Sequence, residues 1–566
     1  MPFRMHVRFS ILWRHTILLL LFCAGLTVLW TLPMLIVGYP YEMPGLLAVR
    51  NFAETGLFAF RDAIGRYPVP HLLLESGVPS PVDGRLYTMI LAMLSQWIPG
   101  DAVIAWNALG ALCMALACVA FWILTSRIFD IRTAWVSTVI VGLMPLYWQE
   151  ASYLHLFQPA FLFLFLSFAA FVWLWRHSRS GAIIVSGLFF GLSVACKDVF
   201  LVFIPWLIIS YLWMNRAVWR KSVTAVFLFL FCVGLIYFTP YIGDIRKYGY
   251  PVNWNLAHFW PGGDEIADMT YEHLYPDPYT YYFDREWFDA KMIEHVQNLS
   301  ELEKLQEQKV LLAYEVIEPT VFRSVANGFW LFVNNIPPYF HQGTVGGAFL
   351  WIFIIVGAAS LLRTRRTLFW WMIGLVVSTE FIVRFILHYN RIHAADTAWV
   401  LALLAAVGVG VVADSLSRRR RGWVMCVMTL SIAFQLLQTN RLDLAHRYSR
   451  TIVPQTLAAG DAIRNLPQNA VVAVDRNPSP PSDLAYLGGR TIVPFTEGTL
   501  RHLLEEGQLR KAFETYDVTH ILEYPEDLEK EILRRVPGIK KVPVVEQDRE
   551  STVPDRWIRY ILHMVR

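Results

Sequence analysis

Charged residues are scarce in this chain. They make up only 17% of its 566 residues, whereas 55% are hydrophobic and the mean hydropathy is +0.42. One soluble core cannot bury that much apolar surface, so the composition excludes an ordinary soluble protein and indicates a membrane protein. The net charge of +4 is small, and the basic residues fall in short clusters between apolar runs. This pattern excludes a nucleic-acid-binding surface.

Cysteine is also sparse, and its placement excludes two further classes of protein. All six cysteines lie within or beside apolar runs, and no two of them form a CxxC pair. The pattern argues against a disulfide framework and against a structural zinc site. Low-complexity tracts and fixed-period soluble repeats are lacking as well.

Long apolar runs are what the sequence has in abundance. The first follows Arg4, Arg8 and Arg14, is too long for a signal peptide and has no small-residue cleavage site, so it predicts a retained anchor. Since about 20 residues cross the hydrocarbon as a helix, we predict about eleven spans. They lie at 15–37, 103–126, 132–149, 154–175, 181–197, 199–215, 222–241, 346–362, 367–387, 395–414 and 422–438. A shorter apolar piece at 86–100 predicts an interfacial or re-entrant helix.

Basic residues in every second loop predict the orientation in the membrane. The N-terminus, SRIFDIR, RHSR, NRAVWRK, RTRR and RRRR are all basic, which assigns them to the cytoplasm. We therefore expect a multi-pass cell-membrane protein with a cytoplasmic N-terminus and an extracytoplasmic C-terminus. Two long outer loops, 38–102 with juxtamembrane helices and 243–345, belong to the predicted transmembrane domain 1–439.

The remaining residues, 440–566, alternate strand-like and helical patterns. Strands are predicted at 470–475, 490–495, 519–524 and 539–545, with helices at 499–516 and 525–536. This alternation predicts a small extracytoplasmic α/β domain.

Polar groups at the predicted outer rim are the candidates for chemistry, because rigid spans can hold loops in place there. The first outer loop offers Glu42 and Arg85, and the second turn offers His155 and Gln158. Lys197 lies at a tight third turn, where Asp198 beside it would neutralise its charge in the simplest interpretation. A fourth turn supplies Arg391 and His393. Basic groups near a carboxylate suit an anionic phosphate substrate at the membrane surface, with the carboxylate as base.

The other acidic residues near these turns have a plainer interpretation. Glu150 and Glu380 are expected to be solvated or paired, and Arg384 to place its charge at the membrane interface.

The order of these pieces resembles a known group of membrane enzymes. The first span is followed by an E-x7-R-x5-G pattern at Glu42, Arg50 and Gly56, then a short amphipathic helix, then a GLSVACK turn ending at Lys197. These features resemble the membrane-embedded GT-C glycosyltransferases. The similarity is greatest to family 39, which includes protein O-mannosyltransferases and lipid A aminoarabinose transferases. It covers roughly residues 10–440, and 80–210 most clearly.

The resemblance implies roles for particular residues. Glu42 corresponds to the acid that acts as base or orients the acceptor, although Tyr41 stands where the family has its aspartate. Lys197, Arg391 and Arg85 correspond to the cations that hold the donor phosphate. The remaining positions, implied to be supporting, are Arg50, His155, Gln158 and His393.

What the resemblance implies for function is transfer of a hexose or pentose from a polyprenyl-phosphate carrier. The acceptor would be a lipid, a glycan or a protein on the outer side, with inversion at the anomeric carbon. No cofactor is implied. A divalent metal has little support, because Tyr41 and Gln158 replace two expected acidic residues.

Other functions stay open at this point. A polysaccharide polymerase or ligase would share the lipid-linked substrate, and an inactive GT-C scaffold would explain Tyr41. A lipid-linked transporter or flippase would require charges at mid-span and inverted repeats. The predicted spans have few charges, Arg384 and Glu380 being the main exceptions.

Overall fold

The structure is a computed structural model that describes most of the apolar runs and most of the C-terminal region. The described residues are 15, 17–30, 59–60, 78–79, 85–95, 102–147, 157–175, 177–214, 219–248, 348–386, 395–416, 419–448, 452–475, 481–495, 497–522 and 524–544. Most of the predicted outer loops 38–102 and 243–345 lies outside these residues. The stretch NLSELEKLQEQKVLLAYEV at 298–316, whose polar pattern predicts a helix, also lies outside them.

The described residues are mainly helical. The helices are α1 (Ile17–Trp30), α2 (Arg85–Ser95), α3 (Ala102–Ile128), α4 (Ile131–Leu143), α5 (Phe157–Leu174), α6 (Arg179–Cys196), α7 (Ile204–Met214), α8 (Trp219–Tyr237), α9 (Ile242–Tyr248), α10 (Ala348–Thr364), α11 (Arg366–Ile386), α12 (Ala395–Leu416), α13 (Arg421–Tyr448), α14 (Ile452–Arg464), α15 (Pro481–Gly488), α16 (Glu497–Glu505), α17 (Leu509–Thr515) and α18 (Glu526–Arg535). The strands are β1 (Ala59–Phe60), β2 (Val78–Pro79), β3 (Val471–Val474), β4 (Thr491–Pro494), β5 (His520–Leu522) and β6 (Lys540–Lys541).

The described residues divide into two compact units. One holds those within 1–33, 106–240 and 308–447, and the other holds those within 34–105, 241–307 and 448–566. The first is a helical unit built mainly from α1, α3 to α8 and α10 to α13. The second contains α2 and, from Ile452 onward, the sheet domain of β3 to β6 with α14 to α18.

Each of the eleven predicted spans contains a helix in the structure. Five of the described helical segments are long and apolar enough to cross a membrane: Ala108–Ile128, Phe157–Leu174, Arg179–Cys196, Thr397–Leu416 and Arg421–Asn440. The chain is therefore a multi-pass membrane protein, as its composition predicts. The count of eleven spans, the orientation of the termini and the domain boundary at 439 stay predictions. The short apolar piece at 86–100 forms α2, which ends at Ser95.

Small residues let helices of the first unit approach closely. A Cβ atom at Gly357 of α10 would lie 1.9 Å from the Leu404 carbonyl oxygen, and one at Gly408 of α12 would lie 2.0 Å from the Phe353 carbonyl oxygen. No side chain fits at those separations, so glycine is needed at both positions. Such small-residue contacts are the usual means of packing helices in a membrane.

Polar side chains fix other helices of this unit. The Ser193 hydroxyl of α6 donates to the Ala160 carbonyl of α5 at 2.7 Å, and the Asn440 amide of α13 donates to the Leu143 carbonyl of α4 at 2.9 Å. Leu143 is the last residue of α4, so Asn440 satisfies a carbonyl left without an intrahelical partner.

The sheet domain has four parallel strands in the order β4-β3-β5-β6. Successive side chains of β3 point to opposite faces of the sheet, and both faces are buried. Val471 and Ala473 belong to a core with α16, α17 and α18, and Val472 and Val474 to a second core with α14 and α15. Each of the four predicted strands contains an observed strand, although β6 covers only Lys540–Lys541 of the predicted 539–545.

The helices of this domain differ from the sequence prediction in two places. The predicted helix at 499–516 is two helices, α16 and α17, because Gly507 has a φ of +68° and ends the first. A glycine adopts this conformation without the steric cost of a side chain, so it commonly ends helices. The helices α14 and α15 were not predicted at all.

Candidate functional site

The turn at Lys197 is the best-defined candidate site in the helical unit. The helix α6 ends at Cys196, and Lys197 has an extended backbone with φ −155° and ψ 109°. Its N–H donates to the Ser193 carbonyl at 3.0 Å, and its own carbonyl accepts from the Phe200 N–H at 3.2 Å. The second bond begins a 3₁₀ turn, Asp198–Phe203, which leads directly into α7. The backbone of Lys197 is therefore fixed on both sides.

The Lys197 side chain lies against the start of α5. Its Nζ atom is 5.3 Å from the centroid of the Phe157 ring, within the range of a cation–π interaction. Phe157 packs edge-on against Phe200 of the 3₁₀ turn, with centroids 6.0 Å apart. Lys197 is partly exposed, whereas its neighbour Asp198 is only 1% exposed. The sequence offered no signal for the partnership of Lys197 with Phe157, since the two residues lie forty positions apart.

Gln158 lies beside Phe157 and is fully buried. A Cβ atom at Gly110 of α3 would approach the Gln158 Cδ atom to 3.3 Å, so the absence of a side chain at 110 makes room for the amide. The Ser193–Ala160 hydrogen bond joins α6 to α5 four residues before Lys197. One predicted supporting residue thus lies in α5, and one predicted cation lies in the turn that ends the adjoining helix α6.

Arg85 occupies a different environment, in the second unit. It is the first residue of α2 and is fully buried, with its Cζ atom 4.8 Å from the centroid of the Tyr241 ring. Tyr241 is itself only 1% exposed. A buried guanidinium stacked on an aromatic face can anchor a helix as well as bind an anion. Its predicted role as a phosphate ligand stays a prediction.

A buried carboxylate lies in the C-terminal half of α11. Glu380 is 5% exposed and accepts a hydrogen bond from the Thr397 hydroxyl of α12 at 3.1 Å, which confirms the paired alternative of its sequence interpretation. The helix α11 packs against α7, and the Trp371 indole of α11 donates a hydrogen bond to the Ser210 hydroxyl of α7 at 2.7 Å. It also contacts the 3₁₀ turn that follows Lys197. Glu380 therefore belongs to a helix that supports the candidate site.

Five other predicted site residues belong to the predicted outer loops and turns. Glu42, Arg50, His155, Arg391 and His393 lie outside the described residues. Their roles stay predictions. Among the residues that the structure describes, no three His, Cys, Asp or Glu side chains form a group that could hold a metal ion.

Comparison with known proteins finds similar solved structures but no similar sequences. No protein-family model matches the sequence, and no curated protein matches it. Solved structures do match. ArnT from Cupriavidus metallidurans bound to undecaprenyl phosphate aligns over 92% of this chain and 89% of its own, with a TM-score of 0.52 and 12% identity. ArnT in the apo state aligns over 94% and 90%, with a TM-score of 0.51 and 12% identity.

A second similar structure comes from an archaeon. The oligosaccharyltransferase AglB from Archaeoglobus fulgidus, in complex with an inhibitory peptide and a dolichol-phosphate, aligns over 88% of this chain and 69% of its own. The TM-score is 0.53 and the identity 13%. Both neighbours have the GT-C fold, so this chain has the GT-C fold that its sequence pattern resembles. At these identities the comparison establishes the fold and leaves the activity to be argued.

Proposed function

We propose that this protein is a membrane glycosyltransferase that transfers a sugar from a polyprenyl-phosphate donor to an acceptor on the extracytoplasmic face. One observation carries the proposal. The fold extends over about nine-tenths of the chain in alignments with two proteins whose solved structures hold undecaprenyl phosphate or dolichol-phosphate. Fold alone does not assign chemistry. The Lys197 turn supplies the second support, because it holds a cation by two backbone hydrogen bonds between α6 and the 3₁₀ turn, at the predicted outer rim.

The chemistry of the proposed donor fits the residues. When the anomeric C–O bond to the lipid phosphate breaks, the departing phosphate gains negative charge, which cations held in place stabilise. Lys197 is proposed for this role, with Arg391 and Arg85. Glu42 takes the proton from the acceptor hydroxyl as its oxygen forms the new bond to the anomeric carbon. Polyprenyl phosphate leaves, and the sugar configuration inverts.

A reconstituted transfer assay tests the proposal. The full chain in proteoliposomes is incubated with polyprenyl phosphates that carry radiolabelled sugars, and loss of label from the lipid fraction is measured. We expect cleavage with at least one donor. Lys197→Gln keeps the side-chain length close and removes the charge, and we expect it to lower kcat by about 100- to 1000-fold, as loss of one charge-stabilising group does.

Arg220→Gln is the matched control. Arg220 is an exposed cation near the start of α8, in a loop predicted to face the cytoplasm, so its loss is expected to leave transfer unchanged. Equal loss in both variants would contradict a specific role for Lys197. Full transfer by Glu42→Gln would contradict its assignment as base. Absence of lipid cleavage with any donor would favour an inactive scaffold or a transporter over an enzyme.

A further inference from the structure

Three loops of the helical unit are joined at one end of the helices. The Arg365 guanidinium, between α10 and α11, donates to the Ile128 carbonyl at 2.6 Å and lies 5.3 Å from the centroid of the Phe129 ring. Arg421 at the start of α13 lies 3.0 Å from an Asp414 carboxylate oxygen of α12 and 3.8 Å from one of Asp130. The loops after α3, α10 and α12 are therefore fixed to one another.

Asp130 makes several hydrogen bonds within this junction. Its carboxylate accepts from the N–H groups of Arg132 and Thr133 and from the Thr133 hydroxyl, which caps the start of α4. Burial works to raise the pKa of the Asp130 carboxyl, but these hydrogen bonds and the charge of Arg421 hold it below its ordinary value. The carboxylate is ionised at neutral pH and is already shared between a helix start and one guanidinium.

The charge of this junction is strongly unbalanced. Residues 126–132, 363–366 and 414–421 contain nine arginines and two aspartates, with no lysine, histidine or glutamate. Both aspartates lie within salt-bridge distance of Arg421. Six further arginines are exposed, and each lies within two residues of a contact that joins the loops. We name them the arginine face: Arg127, Arg132, Arg363, Arg366, Arg419 and Arg420.

The neighbouring side chains place the arginine face at a membrane boundary. Leu362 and Leu416 are exposed immediately on the helix side of the arginines. Trp370, one turn beyond Arg366, is 53% exposed, and Trp423 is 76% exposed. Exposed tryptophans next to exposed apolar residues are typical of the level of lipid headgroups. One guanidinium group can donate two parallel hydrogen bonds to a phosphate group. Lipid phosphates lie at this level of a membrane.

We propose that the arginine face binds the phosphate headgroups of anionic phospholipids in the adjoining membrane leaflet. The bias of basic residues toward one side of a membrane explains charge in these loops, but it does not require that three loops be bound together. Here Arg365 and Arg421 make the contacts that fix the loops, while the residues of the arginine face are all exposed. The proposal is independent of the sugar-transfer activity.

Lipid binding by the full chain tests this proposal. The purified protein is titrated with dioleoyl phosphatidylglycerol or dioleoyl phosphatidylcholine in mixed micelles, and bound lipid is counted by native mass spectrometry. We expect clear preference for phosphatidylglycerol. The variant R363Q/R366Q/R419Q/R420Q keeps Arg365 and Arg421, and we expect it to lower phosphatidylglycerol affinity by about tenfold or more, since each basic residue near an anionic surface adds to binding.

Two controls make the outcome decisive. The variant R179Q/R220Q removes two exposed arginines from other loops predicted to face the same side, and it is expected to lose much less phosphatidylglycerol affinity than the fourfold variant. Inorganic phosphate at the same concentration is expected not to displace the lipid, because the binding level is set by the membrane boundary. The proposal is overturned if the fourfold variant binds phosphatidylglycerol like the wild type, if R179Q/R220Q loses as much, or if free phosphate competes equally.

Discussion

The sheet domain and the helical unit bury their side chains in different ways. In the sheet domain, buried apolar residues alternate with polar surface, as in α18, where Leu528 and Ile532 are buried among charged residues. In the helical unit, large apolar side chains lie on both the buried and the exposed faces, and Phe227 is 71% exposed while Phe229 is 1% exposed. Hydrophobicity therefore specifies the inner face of the sheet domain, whereas small residues and polar bonds specify the inner face of the helical unit.

Among the substitutions that test this difference, truncation of a buried aromatic residue in the sheet domain is expected to have the largest effect on stability. Phe513 of α17 is 1% exposed and lies 5.8 Å from the Phe495 ring, centroid to centroid. Phe513→Ala leaves a cavity in the sheet domain and is expected to cost about 3–5 kcal/mol. Hydrogen–deuterium exchange on the full chain measures the loss of protection in peptides from 452–544.

The control for this truncation lies on the surface of the same domain. Leu533 is 36% exposed, so Leu533→Ala is expected to change protection little. Retained protection in Phe513→Ala would mean that the core of β3 to β5 does not depend on apolar burial in the proposed way.

Adding one methyl group tests the opposite means of packing, in the helical unit. Gly408→Ala places a Cβ atom against the Phe353 carbonyl and is expected to destabilise the unit by about 1–3 kcal/mol. Gly234→Ala is the matched control, because a Cβ atom there meets nothing within 4 Å. Since alanine favours a helix over glycine by about 1 kcal/mol, the control is expected to be neutral or stabilising.

The melting temperature of the detergent-purified variants distinguishes these two signs. The comparison fails if Gly408→Ala and Gly234→Ala shift the melting temperature in the same direction by a similar amount.

The two regions also differ in how much of them the sequence predicts. Apolar runs mark every helix that the structure describes in the helical unit, because a long hydrophobic segment is recognisable from its length and hydropathy. The turn chemistry of Gly507 was missed, since a glycine between charged residues looks like a tolerated interruption of a helix. Both α14 and α15 were missed as well.

The candidate site was predicted only at the level of residue type. Their position at span ends marks Lys197 and Gln158 as candidates, and the structure places Gln158 in α5 and Lys197 in the turn that ends the adjoining helix α6. Their partners Phe157 and Gly110, and the burial of Arg85 against Tyr241, depend on tertiary packing between distant segments. A single sequence carries no direct record of such contacts.

The smallest expected effect is a difference in pH response between the two regions. His520 of β5 is 8% exposed, and burial, followed by the charge of Lys540, holds the pKa of its imidazole below the ordinary 6.5. The folded sheet domain thus favours the neutral ring. Its contribution to stability is fully present above pH 6.5 and is lost as the pH falls below that value through the lowered folded-state pKa.

Asp130 in the helical unit also has a lowered pKa, but its ordinary value is 3.8, so its contribution persists at pH 5.5. Lowering the pH from 8 to 5.5 is therefore expected to weaken exchange protection around β5, after correction for intrinsic exchange rates, while protection at the start of α4 is retained. His520→Gln removes the titrating ring and is expected to abolish the change around β5; an unchanged pH response in that variant would show that another group is responsible.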